Sequence, residues 1–167
     1  MGVAEVRSSF EEYVQARTPA LLRIAYLVTG NAHDAEDLVQ AALERAATRW
    51  QHLTDPEAYL RRVIYTKSIS WWRSRRVRPP ETLTATLPER PVEADHDTRL
   101  AVLSALHRLT RKQRAVLVLR YYEDRTEVEA AILLGVSTGT IKSQTRHALQ
   151  RLRELAPELA ELMVDAR

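Results

Sequence analysis

Residues 126–153 of the chain read TEVEAAILLGVSTGTIKSQTRHALQRLR and carry the clearest structural pattern in the sequence. Thr126 and Glu129 have the Ser/Thr-x-x-Glu spacing of a capping box, which predicts that a helix begins there. Gly135 suits the left-handed position that ends a helix because it has no Cβ to clash, and Ser137 can cap a second helix. Helix, short glycine-containing turn and helix is the layout of a helix-turn-helix motif.

The second helix of this motif is predicted to be two-sided, with Ile141, Ala148, Leu149 and Leu152 facing inward. No acidic residue occurs in residues 130–153, whereas four basic residues do. Charge of one sign on a helix that fits the major groove predicts a surface that faces DNA phosphates. The alternative is a solvated basic helix in an αα-hairpin. Residues 135–143 loosely match a phosphate-binding loop, G-x-x-x-x-G-K-S/T. This interpretation is rejected because Gly139 is followed by Thr140 rather than Lys and because no strand precedes the segment.

Composition predicts an all-α protein. The chain of 167 residues has four Gly and one Phe, and Ala, Leu, Arg and Glu dominate it. It has no Cys, which fits a reducing cytoplasm and excludes thiolate metal sites and cysteine nucleophiles. No apolar run approaches the ~20 residues that span a bilayer, and the N-terminus lacks the apolar core of a signal peptide. We therefore expect a cytoplasmic protein without a membrane span.

Charge divides the chain into three parts. Residues 1–78 carry a net charge of +3, residues 79–97 carry −4, and residues 98–167 carry +4. The middle part is rich in Pro and acids, which predicts a flexible linker. Counted from residue 77, this segment could extend to ~70 Å, about two turns of DNA. The sequence therefore predicts two basic helical lobes joined by an acidic tether. The tether is either a passive spacer or a segment whose acids thread a basic channel in a partner.

The first lobe is predicted to contain four helices. A short helix over 9–16 precedes a second that begins at Thr18 and Pro19 and is apolar around most of its circumference. A third, from about Ala32 to Thr48, has acids in its first turns, where they stabilise a helix and could also dock on a basic partner. A loop over 49–55 then leads to a helix from about Glu57 to Arg76.

The fourth helix combines basic and aromatic residues. Seven Lys or Arg residues occur between Ala58 and Arg78 with no acid among them, interleaved with Tyr59, Tyr65, Trp71 and Trp72. Basic groups bind phosphates, and aromatic faces stack on unpaired bases at ~1–3 kcal/mol per base. Each Trp taken alone is better explained by core packing, but the combination favours contact with a nucleic acid.

Two sets of residues resemble a bacterial sigma factor of the extracytoplasmic-function (ECF) group in the sigma-70 family. The first is DAEDLVQ at 34–40, followed by P-x-x-YLRR at 56–62 and SWWR at 70–73. The second is L-x-x-L-x-x-x-QRAVLVLRYYED at 106–124, followed by LGVSTGTIKSQTRHAL at 134–149. The pattern is similar to an actinobacterial SigE-like subgroup. The resemblance implies two small helical domains, sigma region 2 over 1–78 and sigma region 4 over 98–167, with the linker over 79–97.

The resemblance also implies a role for each surface. Residues expected to dock on the clamp helices of core RNA polymerase are Asp34, Glu36, Asp37, Leu38 and Gln40. Residues expected to open and hold the minus-ten promoter element are Trp50, His52, Tyr59, Arg61, Arg62, Thr66, Lys67, Ser70, Trp71, Arg73, Arg75 and Arg76. Residues expected to recognise the minus-thirty-five element are Thr138, Thr140, Lys142, Ser143, Gln144, Arg146 and His147. Implied partners are core polymerase with its clamp helices and flap region, promoter DNA, and an anti-sigma factor; the linker is expected in the RNA-exit path.

The sequence departs from the family at three positions. Thr66 stands where an Asn often touches an unpaired base, and Ala130 and Ile132 stand where a larger aliphatic and a polar residue are usual. A free-standing helix-turn-helix regulator is the alternative, but it leaves the tryptophan-rich basic helix unexplained. An enzyme is not expected, because the five His residues show no ligand spacing and no nucleophile–base pair stands out. No cofactor or metal is predicted.

Overall fold

The computed structural model describes residues 3–70 and 96–157, and within these ranges every regular element is helical. The first lobe holds α1 (Val3–Thr29), α2 (Ala32–Ala47), a 3-10 turn (Trp50–His52) and α3 (Pro56–Ser70). The second holds α4 (His96–His107), α5 (Arg111–Leu117) with a π-helical turn (Val118–Tyr122), α6 (Glu127–Leu134) and α7 (Thr138–Leu155). The all-α prediction is confirmed. Most of the predicted linker lies outside the described residues.

Local capping signals place most of the helix boundaries. The side chain of Asn31 accepts from the backbone N–H of Asp34, and that of Asp55 accepts from the N–H of Ala58, as expected for helix N-caps. Thr110 and Gln113 form a complete capping box at the start of α5. The predicted starts of α2, α3 and α5 are therefore confirmed.

The predicted break before Pro19 is wrong. The chain runs through it as one helix, α1, with Pro19 inside. A proline inside a helix removes one hydrogen bond and costs ~3 kcal/mol. Thr18, predicted to be an N-cap, instead donates its hydroxyl to the carbonyl oxygen of Val14 at 2.6 Å. Burial of Leu21, Ile24 and their neighbours against α2 offsets the cost of continuing the helix.

The core extends through both lobes. Buried apolar side chains of α1, α2 and α3 form one cluster with those of α4 to α7. Helix α3 packs against α5 and α6, and α1 packs against α4 and α5. The two lobes are therefore closed on each other, an arrangement that the flexible-tether prediction did not include.

Candidate nucleic-acid and polymerase interfaces

The helix-turn-helix forms at the predicted residues. Thr126 and Glu129 make a complete capping box at the start of α6, and Gly135 ends α6 at φ 67°, in the left-handed region. The hydroxyl of Ser137 then accepts from the N–H of Thr140 and caps α7. Short-range contacts thus determine where α6 ends and where α7 begins.

Helix α7 is buried on one side. Ile141, Thr145, Ala148 and Leu152 face the core. Of the residues predicted to recognise the minus-thirty-five element, those fully on the surface are Thr138, Thr140, Lys142, Arg146 and His147. Ser143 and Gln144 are half-buried. The helix therefore presents a polar and basic face, with an exposed N-terminal turn.

One contact modifies the charge of this face. Nζ of Lys142 lies 3.6 Å from a carboxylate oxygen of Glu127 in α6. Lys142 is well exposed, so this is a surface ion pair worth at most ~1 kcal/mol. A phosphate group could take the place of the carboxylate at little cost.

The aromatic residues of the first lobe that the structure describes are largely engaged in packing. Trp50 lies 5.0 Å from both Phe10 and Tyr13, measured between ring centroids, and its indole N–H donates to the Ser9 hydroxyl. Tyr65 is fully buried in the core, so it is not a stacking surface in this conformation. Tyr59 is half-buried, with the Arg49 guanidinium 5.7 Å from its ring centroid. Of the two residues predicted to stack on bases that the structure describes, Tyr59 and Tyr65, Tyr59 is therefore the one that is not fully buried.

The predicted minus-ten residues of α3 differ in how far their side chains are exposed. Arg62, Ser70 and the preceding His52 are exposed, and Lys67 is half-buried. Thr66 donates its hydroxyl to the carbonyl oxygen of Arg62 at 2.6 Å, which leaves its lone pairs to accept a bond from a base. The remaining predicted residues, Trp71, Arg73, Arg75 and Arg76, lie outside the described residues.

Arg61 is held by acids on both sides. Its side chain is 15% exposed and pairs with Glu57 in its own helix at 2.9 Å and with Glu123 of the second lobe. Glu57 also accepts hydrogen bonds from Tyr13 at 2.6 Å and from Arg17 at 2.8 and 2.9 Å. Burial alone would raise the pKa of Glu57, but the bonds from Arg17, Tyr13 and Arg61 outweigh it and lower the pKa to about 2.

The acidic face of α2 is partly accessible. Glu36 and Gln40 are exposed, and Asp34 and Asp37 are half-buried. Leu38, also predicted to contact polymerase, is fully buried in the core of the first lobe, because it lies on the inner side of α2. The exposed part of this face carries negative charge near the helix N-terminus, where the helix dipole stabilises it.

Three residues for which sequence analysis gave no role, Arg111, Arg114 and Glu123, join the lobes. Arg114 is buried and donates to the carbonyl oxygens of Leu106, His107 and Leu109 at the end of α4 and of Val28 at the end of α1. A guanidinium at helix C-termini meets the negative end of each dipole. Burial, and then the nearby Arg111, lower the pKa of Arg114 to about 10, which leaves it charged at neutral pH.

The second joining residue is Glu123, whose side chain is 3% exposed. Besides Arg61, it accepts a hydrogen bond of 3.0 Å from the hydroxyl of Tyr65. Arg111 adds a further link, donating to the carbonyl oxygen of Ser68 at 3.0 Å and attracted electrostatically by Asp34. Arg114 and Glu123 lie in the QRAV and RYYED motifs that the resemblance rests on, but the resemblance assigned no role to either residue.

His107 also lies at the contact between the two lobes. His107 lies under the turn between α1 and α2, where a Cβ on Gly30 would come within 2.6 Å of its Nε2. Burial, and then Arg114, lower the pKa of His107 to about 4, so the imidazole is neutral at pH 7. Across residues 3–70 and 96–157, no group of His, Asp and Glu could hold a metal ion, and no helix is long and apolar enough to cross a membrane.

Comparisons with known proteins agree with this architecture. The Sigma-70 region 2 model matches residues 13–78, and the Sigma-70 region 4 model matches residues 105–154. The RNA polymerase sigma-E factor of Streptomyces coelicolor is 43% identical over 164 residues, covering 95% of this chain and 90% of that protein. The ECF RNA polymerase sigma factor SigL of Mycobacterium tuberculosis is 32% identical, covering 93% and 91%.

A solved structure has the same fold. The sigma factor RpoE of Bartonella quintana, in complex with its anti-sigma factor NepR, matches with a TM-score of 0.68 at 23% identity, covering 90% of this chain and 98% of that chain. The region models and the sequence relatives cover both lobes in the order found here. The chain therefore belongs to the sigma-70 family of RNA polymerase sigma factors, in its extracytoplasmic-function group.

Proposed function

We propose that this sigma factor binds core RNA polymerase and selects promoters by recognising the minus-thirty-five element as duplex and the minus-ten element as a melted strand. The observation that carries this proposal is the exposed face of α7, which is basic and polar and begins at a capped, accessible helix N-terminus. Backbone N–H groups at such a terminus bind phosphate, and the side chains that follow can meet base edges in the major groove.

The first lobe has the chemistry for the melted strand. Exposed Arg62 and half-buried Tyr59 and Lys67 lie on α3, and the basic segment after Ser70 continues this series in the sequence. Basic side chains that follow the backbone together with an aromatic face are the usual means of holding a single strand. Arg61, which pairs with Glu57 and Glu123 in this structure, is assigned to this set as well.

Docking on polymerase is assigned to the acidic face of α2. Glu36, Gln40 and the half-buried Asp34 and Asp37 offer carboxylates and an amide to a basic partner. Leu38 then supports the face from within the core, without direct contact. We assign residues 1–78 to the polymerase and minus-ten lobe, 79–97 to the linker in the RNA-exit path, and 98–167 to the minus-thirty-five lobe and the flap.

The chain acts as a specificity subunit without catalysis or a cofactor of its own, and it works in the cytoplasm, where polymerase is. An anti-sigma factor is a further partner; its support is the similar RpoE fold, which was solved with NepR. A free-standing regulator is not favoured, because the match to sigma factors covers both lobes.

In vitro transcription tests this function. The purified chain is added to core polymerase with a genomic promoter library, and RNA 5′ ends are sequenced. New start sites that share two conserved upstream elements are expected. A double variant of α7, Lys142→Ala with Arg146→Ala, should lose these sites while still binding core polymerase in a pull-down. The proposal fails if the wild-type chain gives no new start sites.

A further inference from the structure

We propose that Arg49 and Tyr59 form a slot for one unpaired base of the melted minus-ten strand, with the tyrosine ring as one wall and the arginine guanidinium as the other. The inference rests on the function proposed above, and it adds to the promoter interface an arginine to which the sequence gave no role. It starts from one contact: the guanidinium carbon of Arg49 lies over the Tyr59 ring, 5.7 Å from its centroid.

The turn that carries Arg49 is held by its neighbours. The backbone N–H of Arg49 donates to the carbonyl oxygen of Ala46 at 3.1 Å, and its carbonyl oxygen accepts from the N–H of His52 at 2.9 Å. The ring of the next residue, Trp50, packs against two aromatic rings of α1. Arg49 itself is exposed. Its backbone is therefore fixed, whereas its side chain is free to adjust to a ligand.

The Tyr59 ring is the more rigid wall. Tyr59 lies in the first turns of α3, where its N–H donates to the carbonyl oxygen of Asp55 at 3.1 Å and the Asp55 carboxylate caps the helix. The ring is half-buried and packs against the hydrophobic core. The core thus supports the ring from behind, while Arg49 covers its outer side.

The separation of the two walls suits a base after a small movement. A base stacked between two planar groups needs two stacking distances, about 7 Å at ~3.4 Å each. The separation of 5.7 Å is short of this by about 1 Å, which rotation of an exposed arginine side chain supplies. A guanidinium is planar and stacks on π-faces, so it closes over a base as it closes over the tyrosine ring here.

The slot lies at one end of a polar face of α3. Tyr59, Arg62 and Thr66 have the i, i+3, i+7 spacing that places residues on one side of a helix. At 1.5 Å per residue, Tyr59 and Thr66 are ~10.5 Å apart along the axis, about three stacked nucleotides. A strand that follows this face would reach the slot at the N-terminal end of α3.

Binding of a phosphate by Arg49 is the competing explanation, and the two differ in chemistry. A phosphate contact needs a positive charge, which a lysine also supplies. A stacking wall needs the planar guanidinium, which a lysine lacks. Removal of a single base that leaves its phosphate in place therefore separates the two explanations.

The experiment measures binding of the full-length chain, assembled with core polymerase, to labelled single-stranded oligonucleotides by fluorescence anisotropy. The oligonucleotides carry the sequence of each strand of the minus-ten element, taken from the mapped start sites, and a series of them has one abasic site each. Wild type is compared with Arg49→Ala, Arg49→Lys and Tyr59→Leu. The matched control is Arg45→Ala, which removes an exposed arginine one turn earlier in the chain.

We expect one position at which loss of the base weakens binding of the wild type and of Arg45→Ala about tenfold, within the range of base–aromatic stacking. In Arg49→Ala and Arg49→Lys the same abasic site should cost only about threefold, because one wall remains. Tyr59→Leu should also reduce the effect of this site. Since Tyr59 packs on the core, the Arg49 variants decide the outcome.

The slot is overturned if Arg49→Lys keeps the full wild-type sensitivity to the abasic site, which would assign Arg49 to a phosphate. It is equally overturned if no single base matters to the wild type, or if Arg49→Ala and Arg45→Ala behave alike. A wild-type complex that bound no oligonucleotide and started no transcription would remove the proposed function and the slot together. Tight binding that does not depend on Arg49 removes the slot alone.

Discussion

Arg114 in α5 donates a hydrogen bond of 3.0 Å to the carbonyl oxygen of Val28 near the end of α1, 86 positions earlier in the chain. Its other donors reach three carbonyl oxygens at the end of α4. One buried guanidinium thus satisfies backbone acceptors at two helix ends that would otherwise be shielded from water. The same residue stabilises the second lobe internally and joins it to the first.

We therefore expect Arg114→Met to be strongly destabilising. Methionine fills a similar volume but leaves the buried carbonyl groups without donors, at a cost of roughly 2–4 kcal/mol. The thermal midpoint should fall by roughly 5–15 °C. Arg108→Met is the control, since Arg108 is exposed in the turn that follows α4. Calorimetry of both variants measures the difference, and equal midpoints would contradict the assigned role of Arg114.

Gly30→Ala should also destabilise the closed chain. Gly30 has φ 80°, which L-residues adopt at a cost of roughly 1–2 kcal/mol, and the new Cβ would lie 2.6 Å from Nε2 of His107. Separation of the lobes would relieve the clash. A lower thermal midpoint than that of the wild type, measured by calorimetry, is the expected result.

Gly139→Ala provides the matched comparison. A Cβ there meets only the Ser137 hydroxyl oxygen, at an ordinary 3.7 Å, and alanine favours a helix over glycine. Its thermal midpoint should equal or exceed that of the wild type. A Gly30→Ala variant as stable as Gly139→Ala would show that the approach of His107 to Gly30 does not constrain the fold.

Acid should weaken the first lobe through Glu57. The pKa of Glu57 is lowered from 4.5 to about 2, because its bonds from Arg17, Tyr13 and Arg61 outweigh the effect of burial. The unfolded chain therefore binds more protons than the folded chain between these values. The stabilisation is complete above pH 4.5 and is lost as the pH falls towards 2.

Denaturant unfolding at several pH values between 2 and 6 measures this effect. Glu57→Gln should be less stable than the wild type at pH 6, with a smaller loss of stability on acidification. Glu36→Gln, an exposed acid on α2, should keep the wild-type pH dependence. If Glu57→Gln followed the wild-type curve throughout, its carboxylate would not be the group that is linked to stability.

Short-range features of this fold were predictable from the residues. The capping boxes at Thr110 and Thr126 and the left-handed turn at Gly135 depend on residues at most a few positions apart, so spacing alone indicated them. Pro19 misled the prediction because the intrinsic cost of a helical proline was offset by tertiary packing of α1.

Closure of the lobes was beyond such reasoning. Tyr65 and Glu123 are 58 positions apart, and neither side chain carries a local pattern that names the other. The burial of Tyr65 was likewise hidden, since a basic helix with aromatic residues gives no sign of which rings face the core. Leu38 was assigned to the polymerase surface by the resemblance, although it lies on the inner side of α2. The charge pattern alone indicated a DNA-facing α7 and a possible basic partner for α2. The finer roles, polymerase for α2 and the minus-thirty-five element for α7, came from the resemblance to a family, and they remain predictions for each residue.

The face of α7 allows a quantitative prediction about DNA. Arg146 is exposed on this face, and Arg153, near the end of the same helix, is exposed as well. If Arg146 contacts a phosphate or a base near one, Arg146→Ala should reduce the slope of log affinity against log salt by about one. Arg153→Ala, further from the helix N-terminus, serves as the comparison and should change the slope less.

The slope is obtained by measuring the affinity of the polymerase complex for promoter duplex at salt concentrations from about 50 to about 200 mM. Because α7 is assigned to DNA and α2 to polymerase, affinity for core polymerase should stay at the wild-type value in both variants. An equal loss of polymerase affinity in Arg146→Ala, or an unchanged salt slope, would remove this arginine from the promoter interface.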